Sequence, residues 1–310
     1  MITNGIHHRS QITKDLKLKD FFGVDKRISI TLYDQILDLP NAEDLAERIL
    51  LLFSDERGAY KRTYRKRFEE FDKVVLTLIE KNLKGPLLFQ DVGISDGRTA
   101  ADFFEKGAQL FQKIIYTASD YNPKVYVIEK RTVKTTLSQT GKVLEIVWPP
   151  FVFNLSRPDR YYPLNTVIRW FIQFFKVNPL IAAYKAGKVK AKELLLFCPA
   201  ALNLAKKDPR FILEQHDLLK PFKEQSHIIR AMNVLNTTYF SKPEFEKVIT
   251  YIHDGLLANG LFITGSNQDA GSLVHGGVYQ KTTQGFEKLW QSGEGSPIDE
   301  MIMDFSKTSH

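Results

Sequence analysis

The chain has 310 residues, and its 43 Lys and Arg against 36 Asp and Glu give a formal net charge of +7 with His neutral. A hydrophobic fraction of 43% and an aromatic fraction of 12% are typical of a folded protein and exclude disorder as its main state. The single cysteine, Cys198, excludes a disulfide framework and a thiolate metal site. The histidines show no ligand spacing, so no metal is predicted.

Length and hydropathy also predict the number of domains and the location of the protein. At roughly 150 residues per domain, the length predicts two domains or one elaborated domain. The start of the sequence lacks the apolar core of a secretory signal, and no stretch approaches the roughly 18 uncharged apolar residues of a spanning helix. We therefore expect a cytoplasmic protein, and peripheral contact with a membrane stays open.

Residues 1–85 are predicted to form an N-terminal arm and helical extension. Asn41 and the acids after it predict a helix start, and the apolar spacing over 60–82 predicts a second helix. The first half of this second helix carries five basic residues within 61–67. A solvated helix face explains them better than contact with a polyanion, and no nucleic-acid reader motif occurs. Nucleic acid is therefore not favoured as a partner.

Residues 86–122 are predicted to form a strand, a glycine-containing loop, a helix and a second strand. Leu87–Phe89 and Ile114–Ala118 are short apolar runs of the kind that a parallel sheet buries on both faces, and Ala100–Phe111 has helical spacing. The loop Asp91–Gly97 stands between the first strand and the helix. Its glycines allow a tight turn and the close approach of a ligand to the helix N-terminus. This unit predicts a parallel sheet with a right-handed crossover.

Residues 123–197 interrupt this rhythm and are predicted to be an insertion. Val125–Ile128 and Val143–Val147 alternate like strands, and Gln139–Gly141 is predicted to turn a hairpin between them. The segment 164–192 is rich in aromatic residues and ends in lysines. Three interpretations stay open for this segment: packed core, a lid over an apolar substrate site, or contact with an anionic membrane surface.

The alternation of strands and helices resumes after residue 198. Phe211–Leu213 and Ser226–Ile229 are predicted strands, Pro243–Leu257 is a predicted helix, and Leu261–Thr264 is a further strand. Polar residues follow the first two of these strands. Open α/β sheets bind their ligands beyond the carboxyl ends of the strands, so we expect a binding site there.

The loop after the first strand carries a family resemblance. Its acid-x-Gly-x-Ser-x-Gly pattern resembles the first motif of class I S-adenosylmethionine-dependent methyltransferases, which is acid-x-Gly-x-Gly-x-Gly. The resemblance implies that Asp91, Gly93, Ser95 and Gly97 hold the methionine end of S-adenosylmethionine. Ser95 departs from the motif, although serine is small enough for the loop to form.

Two later segments extend this resemblance. Asp120 ends the second predicted strand, where the family's acid accepts hydrogen bonds from both ribose hydroxyls, and Tyr121 is placed to lie against the adenine. Asp217 and Leu218 follow the third strand and match the positions that meet the adenine edge. A charge-assisted hydrogen bond of this kind contributes about 1.5–3 kcal/mol.

The region 228–266 is similar to the chemotaxis-receptor glutamate methyltransferases. Their Arg-Asn-Val-Leu-Ile-Tyr-Phe run is matched here by Asn233-Val234-Leu235 and, after two extra residues, by Tyr239-Phe240. This match adds Met232 and Asn233 to the implied cofactor-binding residues. It is not close enough to transfer the substrate.

No universal catalytic residue is expected for methyl transfer, because the cofactor carries the electrophile and the protein supplies orientation. The candidates near the acceptor are His216, Arg230, Asn233 and Tyr239. Strand alternation points His216 away from the cofactor, which favours a packed or surface histidine. Arg230 is predicted either to pair with an acceptor carboxylate or to form a structural salt bridge.

These segments predict a mostly parallel α/β fold, and the resemblance implies a seven-stranded methyltransferase sheet with helices on both faces. The domain prediction is an extension over 1–85 and a methyltransferase domain over 86–310, interrupted by a lid-like insertion at 123–197. The resemblance implies methyl transfer from S-adenosyl-L-methionine to an apolar small molecule, a lipid or a protein carboxylate. The alternative is a catalytically weak scaffold of the same fold that binds a partner or a membrane surface.

Overall fold

The computed structural model describes residues 5–13, 27–53, 61, 63–155, 163–237, 239–268 and 271–306. The helices in these ranges are α1 (Arg9–Thr13), α2 (Tyr33–Ile36), α3 (Ala42–Leu52), α4 (Glu69–Asn82), α5 (Arg98–Leu110), α6 (Pro163–Ile172), α7 (Asn178–Lys185), α8 (Pro199–Lys207), α9 (Lys242–Gly255) and α10 (Asp299–Met303). A 3₁₀ turn precedes α2 at Ile30–Leu32, and a π-helical turn, Gln173–Val177, joins α6 to α7.

The strands fall into two sheets. They are β1 (Leu87–Val92), β2 (Ile114–Asp120), β3 (Lys124–Lys130), β4 (Val133–Leu137), β5 (Val143–Trp148), β6 (Phe151–Asn154), β7 (Ala191–Leu195), β8 (Phe211–Gln215), β9 (Ser226–Met232), β10 (Leu256–Ser266), β11 (His275–Lys281) and β12 (Phe286–Ser292).

The chain divides into two compact units, each built from two segments. The antiparallel unit consists of Met1–Arg62 and Lys124–Pro199, and the parallel unit consists of Thr63–Pro123 and Ala200–His310. In this division α4 belongs to the parallel unit, where it contacts α5. The predicted domain limits, by contrast, assigned α4 to the N-terminal extension.

The parallel unit contains a seven-stranded sheet in the order β12-β11-β10-β9-β1-β2-β8. The neighbours from β10 to β8 run parallel, whereas β11 is antiparallel to β10 and β12 is antiparallel to β11. Successive residues of a strand point to opposite faces. On β9, Ile229 packs with α9, whereas its neighbour Arg230 faces Phe103 of α5. The predicted mostly parallel sheet with helices on both faces is therefore confirmed.

The antiparallel unit contains a five-stranded sheet in the order β6-β5-β4-β3-β7, with every neighbouring pair antiparallel. Both faces of this sheet are covered. Val125 and Val127 of β3 pack with the apolar residues of α2 and α3. The next residue, Ile128, points to the other face and packs with Ile172 and Leu180, on α6 and α7.

The second predicted helix is wrong at its start. The helix begins at Glu69, not near residue 60, because Lys66 has a left-handed φ of 57° that a continuous helix cannot accommodate. The acids of the first turn, from Glu69 to Asp72, suit a helix N-terminus. The described basic residues of 61–67 therefore precede α4, and Tyr60 and Arg62 lie outside the described residues.

The predicted hairpin between Val125–Ile128 and Val143–Val147 is also wrong. A strand between them, β4, pairs with both of them, and the turn at Gln139–Gly141 joins β4 to β5. Gly141 adopts a φ of 87° in this turn. The two threonines of Val133–Leu137 hid the apolar alternation, although both of their side chains are buried in the sheet.

Candidate functional site

The carboxyl ends of five parallel strands lie at one edge of the parallel unit. Around β1 the chain connectivity switches, because β2 and β8 lie on one side of β1 while β9 and β10 lie on the other. Open α/β sheets bind ligands at such a switch point. The loops after β1, β2, β8, β9 and β10 therefore form the candidate site.

The loop 93–97 after β1 turns through left-handed backbone conformations. Gly93, Ser95 and Gly97 have φ angles of 71°, 61° and 81°. A Cβ at Gly93 would lie 2.7 Å from Cγ2 of Val234 in the loop after β9, so both φ and this close approach require glycine. Gly97 occupies the N-cap position of α5. The predicted loop is thus present, with Ser95 in a conformation that glycine adopts at lower cost.

Asp120 holds this loop against the end of β2. Its Oδ2 accepts the N–H of Ser95 at 2.8 Å, and its Oδ1 accepts the N–H of Asn122 at 3.0 Å. The N–H of Gly93 donates to the carbonyl oxygen of Ser119 at 2.8 Å. Asp120 therefore stands where the sequence places it, at a strand end and beside the glycine loop. Its role in binding a ribose stays a prediction.

Asp96 fixes the same loop from inside. Its carboxylate is buried, accepts a hydrogen bond from the hydroxyl of Thr63 and accepts the N–H of Arg98 at 3.0 Å. Arg98 Nε lies 3.7 Å from the other carboxylate oxygen. Asp96 thus positions the start of α5, and its carboxylate stabilises the loop 93–97 by accepting these hydrogen bonds.

The loops after β9 and β10 are joined by an amide pair. Oδ1 of Asn233 accepts the N–H of Asn267 at 2.9 Å, and its Nδ2 donates to Oδ1 of Asn267 at 3.1 Å. Arg67 donates from Nε to that same Oδ1 at 2.8 Å and from Nη2 to the carbonyl oxygen of Asn267 at 3.2 Å. Asn233 adopts a left-handed φ of 58°. The predicted residue Asn233 therefore lies at the site and holds two strand ends together.

Arg67 and Asn267 are site residues that the sequence reasoning missed. Asn267 directly follows the apolar strand β10, so its position was a usable signal. Arg67 precedes α4 and contacts Asn267, which lies 200 residues further along the chain. No local pattern predicts a contact at that separation.

After β8, Asp217 and Leu218 form a tight turn at the same edge. Oδ1 of Asp217 accepts the N–H of Leu219 at 3.0 Å, and Leu218 is buried in the apolar core that also contains Ile229. His216 stacks on the ring of Phe222 at 4.6 Å, and burial lowers its pKa. His216 is therefore packed against a neighbouring ring, which is one of the two arrangements, packed or surface, that strand alternation favours.

Tyr121, Met232 and Tyr239 also lie at or beyond strand ends. The carbonyl oxygen of Tyr121 accepts Nε2 of Gln215 at 3.1 Å, which ties the ends of β2 and β8. Met232 is buried and pairs with Gly265 in the sheet. Tyr239 is exposed, in the loop between β9 and α9. Their proposed contacts with a cofactor or acceptor stay predictions.

Asp91 is not available at the edge of the sheet. The residue is 1% exposed, and its side chain lies on the face of the sheet where Arg230 contacts Asp72 of α4 and Phe103 of α5. Its Oδ2 accepts the hydroxyl of Tyr116 at 2.5 Å and Nη1 of Arg230 at 2.8 Å, and Nη2 of Arg230 donates to Asp72 at 3.0 Å. The implied contact of Asp91 with the methionine end therefore has no support in the structure. The alternation of β1 explains this, because Asp91 shares its face with the buried Phe89.

Arg230 belongs to the same buried cluster. Its guanidinium is 1% exposed and lies 4.8 Å from the ring centroid of Phe103. Burial raises the pKa of Asp72 to about 6, with Arg230 opposing that shift. The two carboxylates hold the pKa of Arg230 above its usual range, so it stays protonated. Of its two predicted roles, the structure shows the structural salt bridge, which Arg230 forms with both Asp72 and Asp91.

Comparisons with known proteins give no family for this chain. No protein-family model matches it, and no curated protein matches it in sequence. Solved structures resemble it weakly. The N-methyltransferase NodS from Bradyrhizobium japonicum WM9 is 13% identical over 77% of this chain and 74% of that chain, with a TM-score of 0.33. The CMeT domain of the citrinin polyketide synthase is 14% identical over 77% of this chain and 49% of that chain, with a TM-score of 0.36.

A third structure, a putative S-adenosyl-L-methionine-dependent methyltransferase from Methanococcus maripaludis, is 10% identical over 67% of each chain, with a TM-score of 0.29. Scores this low carry no argument about function. Within the part of the chain that the structure describes, no helix is long and apolar enough to cross a membrane. The same residues contain no cluster of three His, Cys, Asp or Glu side chains that could hold a metal ion.

Proposed function

We propose that the parallel unit binds S-adenosylmethionine at the carboxyl edge of its sheet and transfers the methyl group to an acceptor. One observation carries this proposal: the N–H of Ser95, in a left-handed loop, donates to Asp120 at the end of the neighbouring strand at 2.8 Å. The resemblance to class I methyltransferases implies the same combination of glycine loop and strand-end acid. The comparisons with solved structures add no support to this proposal.

Most residues at this edge suit an adenosine cofactor. Gly93 and Gly97 leave the loop without side chains at two of its turns. Asp120 accepts two backbone N–H groups at this edge, and the resemblance implies that the same carboxylate accepts the ribose hydroxyls. Asp217 can accept from an adenine amino group in the same way. Asp91 does not fit, so the methionine end would rest on the loop backbone and the N-terminus of α5.

The bound cofactor would supply a methyl group on a positively charged sulfur. The residues of this chain would then orient the two reactants, which is the main contribution a protein makes to such a displacement. Asn233 and Tyr239 are the candidates on the acceptor side, because both follow β9 at the switch point. A base is required only if the acceptor must lose a proton first.

We propose three alternative classes of acceptor: an apolar small molecule, a lipid or a protein carboxylate. A catalytically weak scaffold is the second candidate function. The observation that favours it is the left-handed φ of 61° at Ser95, because the loop departs from the glycine pattern at a strained position. The two candidates differ in whether the chain binds the cofactor with useful affinity.

Calorimetry with S-adenosylhomocysteine tests the proposal. We expect binding, and we expect Asp120→Ala to weaken it by about tenfold or more, as the loss of one or two charge-assisted hydrogen bonds requires. Asp120→Asn keeps one oxygen that can accept the N–H of Ser95 and loses the acceptor for the N–H of Asn122, so it disturbs the loop less than Asp120→Ala does. Asp208→Asn is the matched control, because Asp208 pairs with Arg210 before the start of β8, at the opposite edge.

The outcomes are distinct. No binding at millimolar ligand would refute the enzyme and leave the scaffold. Equal affinity in the wild type and in both Asp120 variants would refute the ribose assignment. Ser95→Gly restores the glycine pattern, so binding that appears only in this variant would show that Ser95 disables the loop.

A further inference from the structure

We propose that the antiparallel unit binds the surface of anionic membranes through α6 and the π-helical turn. The contact surface is the aromatic face, which we define as the exposed side chains of Val167, Trp170, Phe171, Phe174 and Phe175. This proposal goes beyond the proposed function, because it concerns the other unit and holds whether or not a cofactor binds.

The aromatic face is large and contiguous. Its five side chains are between 50% and 63% exposed. Residues four apart on a helix are neighbours, and two such pairs lie side by side. Trp170 stacks on Phe174 with ring centroids 5.8 Å apart, and Phe171 lies 4.6 Å from Phe175. The rings of Phe174 and Phe175, 5.0 Å apart, join the two pairs. An exposed patch of this kind marks an interaction surface.

The opposite side of the same helical segment is buried against the five-stranded sheet. Ile172, Val177 and Leu180 are buried and pack against the five-stranded sheet. Packed core therefore explains these three residues and leaves the aromatic face unexplained. A helix that is apolar on all sides suits an environment with apolar material on both sides. A helix seated on a sheet and facing a lipid surface has such an environment.

Charge identifies that environment as anionic. The segment 163–192 contains six Lys and Arg residues and no Asp or Glu, although the whole chain has a net charge of only +7. Lys176 lies in the π-helical turn and is exposed, as are Lys185, Lys188 and Lys190 beyond it. Each basic side chain near an anionic lipid surface adds attraction, and tryptophan prefers the boundary between headgroups and acyl chains.

The same charges argue against self-association. Two copies meeting through α6 and the π-helical turn would bring together two copies of a segment whose charged residues are all basic, and like charges oppose each other across an interface. An anionic bilayer supplies both an apolar layer for the rings and countercharge for the lysines. Exposed aromatic side chains together with basic residues in one helical segment are typical of an interfacial membrane contact.

Vesicle sedimentation with the full chain tests the proposal. We expect sedimentation with phosphatidylcholine vesicles that contain about 30% phosphatidylglycerol, little with pure phosphatidylcholine, and a loss at high salt. Trp170→Ser with Phe174→Ser should reduce the bound fraction by at least roughly tenfold, and Lys188→Glu with Lys190→Glu should do the same. Both pairs are exposed, so the melting temperature should stay unchanged.

Matched controls come from the parallel unit. Leu110→Ser with Leu273→Ser removes exposed apolar side chains, and Lys206→Glu with Lys207→Glu reverses exposed charges at the end of α8. Neither pair should change vesicle binding. In addition, brominated lipids should quench the fluorescence of Trp170, and this quenching should disappear in Trp170→Phe while binding remains.

Three results would overturn the proposal. The first is no binding to anionic vesicles. The second is binding that Trp170→Ser with Phe174→Ser leaves intact. The third is a concentration-dependent dimer that these substitutions dissolve, without vesicle binding, which would assign the aromatic face to a second copy of the chain.

Discussion

The two units bury acidic side chains in opposite ways. In the parallel unit, Arg230 lies between Asp72 and Asp91, at 3.0 Å and 2.8 Å. In the antiparallel unit, Glu145 accepts hydrogen bonds from neutral donors, the hydroxyl of Ser29 at 2.7 Å and the N–H of Ile30 at 3.4 Å. Burial raises the carboxyl pKa in both units. A buried acid held by a cation depends on that cation, whereas one that accepts hydrogen bonds from neutral donors depends on keeping its proton. The two units should therefore respond most strongly to different changes: loss of the cation in the parallel unit and loss of the proton in the antiparallel unit.

The largest expected effect follows from removing the guanidinium. Arg230→Met would leave Asp72 and Asp91 buried without a cation, and breaking a buried pair in this way costs about 3–5 kcal/mol of unfolding free energy. Urea unfolding measures this loss. Arg230→Lys keeps the charge but not the two-sided geometry, so it should lose less. A loss below about 1 kcal/mol in Arg230→Met would mean that the two acids are neutral in the folded protein and need no cation.

The pH dependence of the antiparallel unit is the next largest effect. Burial raises the pKa of Glu145 from 4.5 to about 7, against the opposing effects of Ser29, Ile30 and the charge of Arg27. The folded state therefore holds a proton that the unfolded state releases between these pH values. This stabilisation is complete below pH 4.5 and is lost as pH rises through 7. It amounts to about 3 kcal/mol.

Glu145→Gln isolates this effect. The amide does not titrate, so the difference in unfolding free energy between variant and wild type should grow in favour of the variant from pH 5 to pH 8. Glu129→Gln in β3 is the control, because Glu129 is exposed and pairs with Lys134 at the surface. A difference that is the same at both pH values would contradict the raised pKa of Glu145.

The candidate site could be predicted only where its signals are local in the chain. The strand–loop–helix–strand pattern predicts that the loop Asp91–Gly97 and Asp120 share one edge of the sheet, and in the structure the N–H of Ser95 donates to Asp120. The partner of Asp91 could not be predicted in that way. Arg230 lies 139 residues further along, and each of the two residues alone matched a site pattern. Only the strand register shows that both side chains face the helices.

The antiparallel unit was harder to predict for a related reason. Hydrophobic spacing showed that the segment 164–192 is apolar, but not which of its side chains are covered. Ile172 and Trp170 have the same sequence signal, yet one is buried against the sheet and the other is exposed. Such a difference depends on strands far along the chain, among them β4, which the sequence analysis missed.

The smallest expected effect, about 2 kcal/mol, is the difference between alanine substitutions at one glycine from each unit. Gly93 and Gly141 both have left-handed φ angles, 71° and 87°, so alanine at either position loses about 1–2 kcal/mol from backbone strain. They differ in their surroundings. A Cβ at Gly141 meets nothing within 4 Å, whereas a Cβ at Gly93 meets Val234 at 2.7 Å. Overpacking should add about 2 kcal/mol to the loss in Gly93→Ala, measured by urea unfolding.

Combining Gly93→Ala with Val234→Ala separates the two terms. Alanine at position 234 removes the overlap but not the strain at φ. The double variant should therefore lose less unfolding free energy than the sum of the two single losses, by the amount that overpacking adds. Additive effects would mean that the loops after β1 and β9 move apart at little cost. Tight coupling would instead mean that Val234 fixes the loop at the switch point, and any ligand there must fit a loop that is already in place.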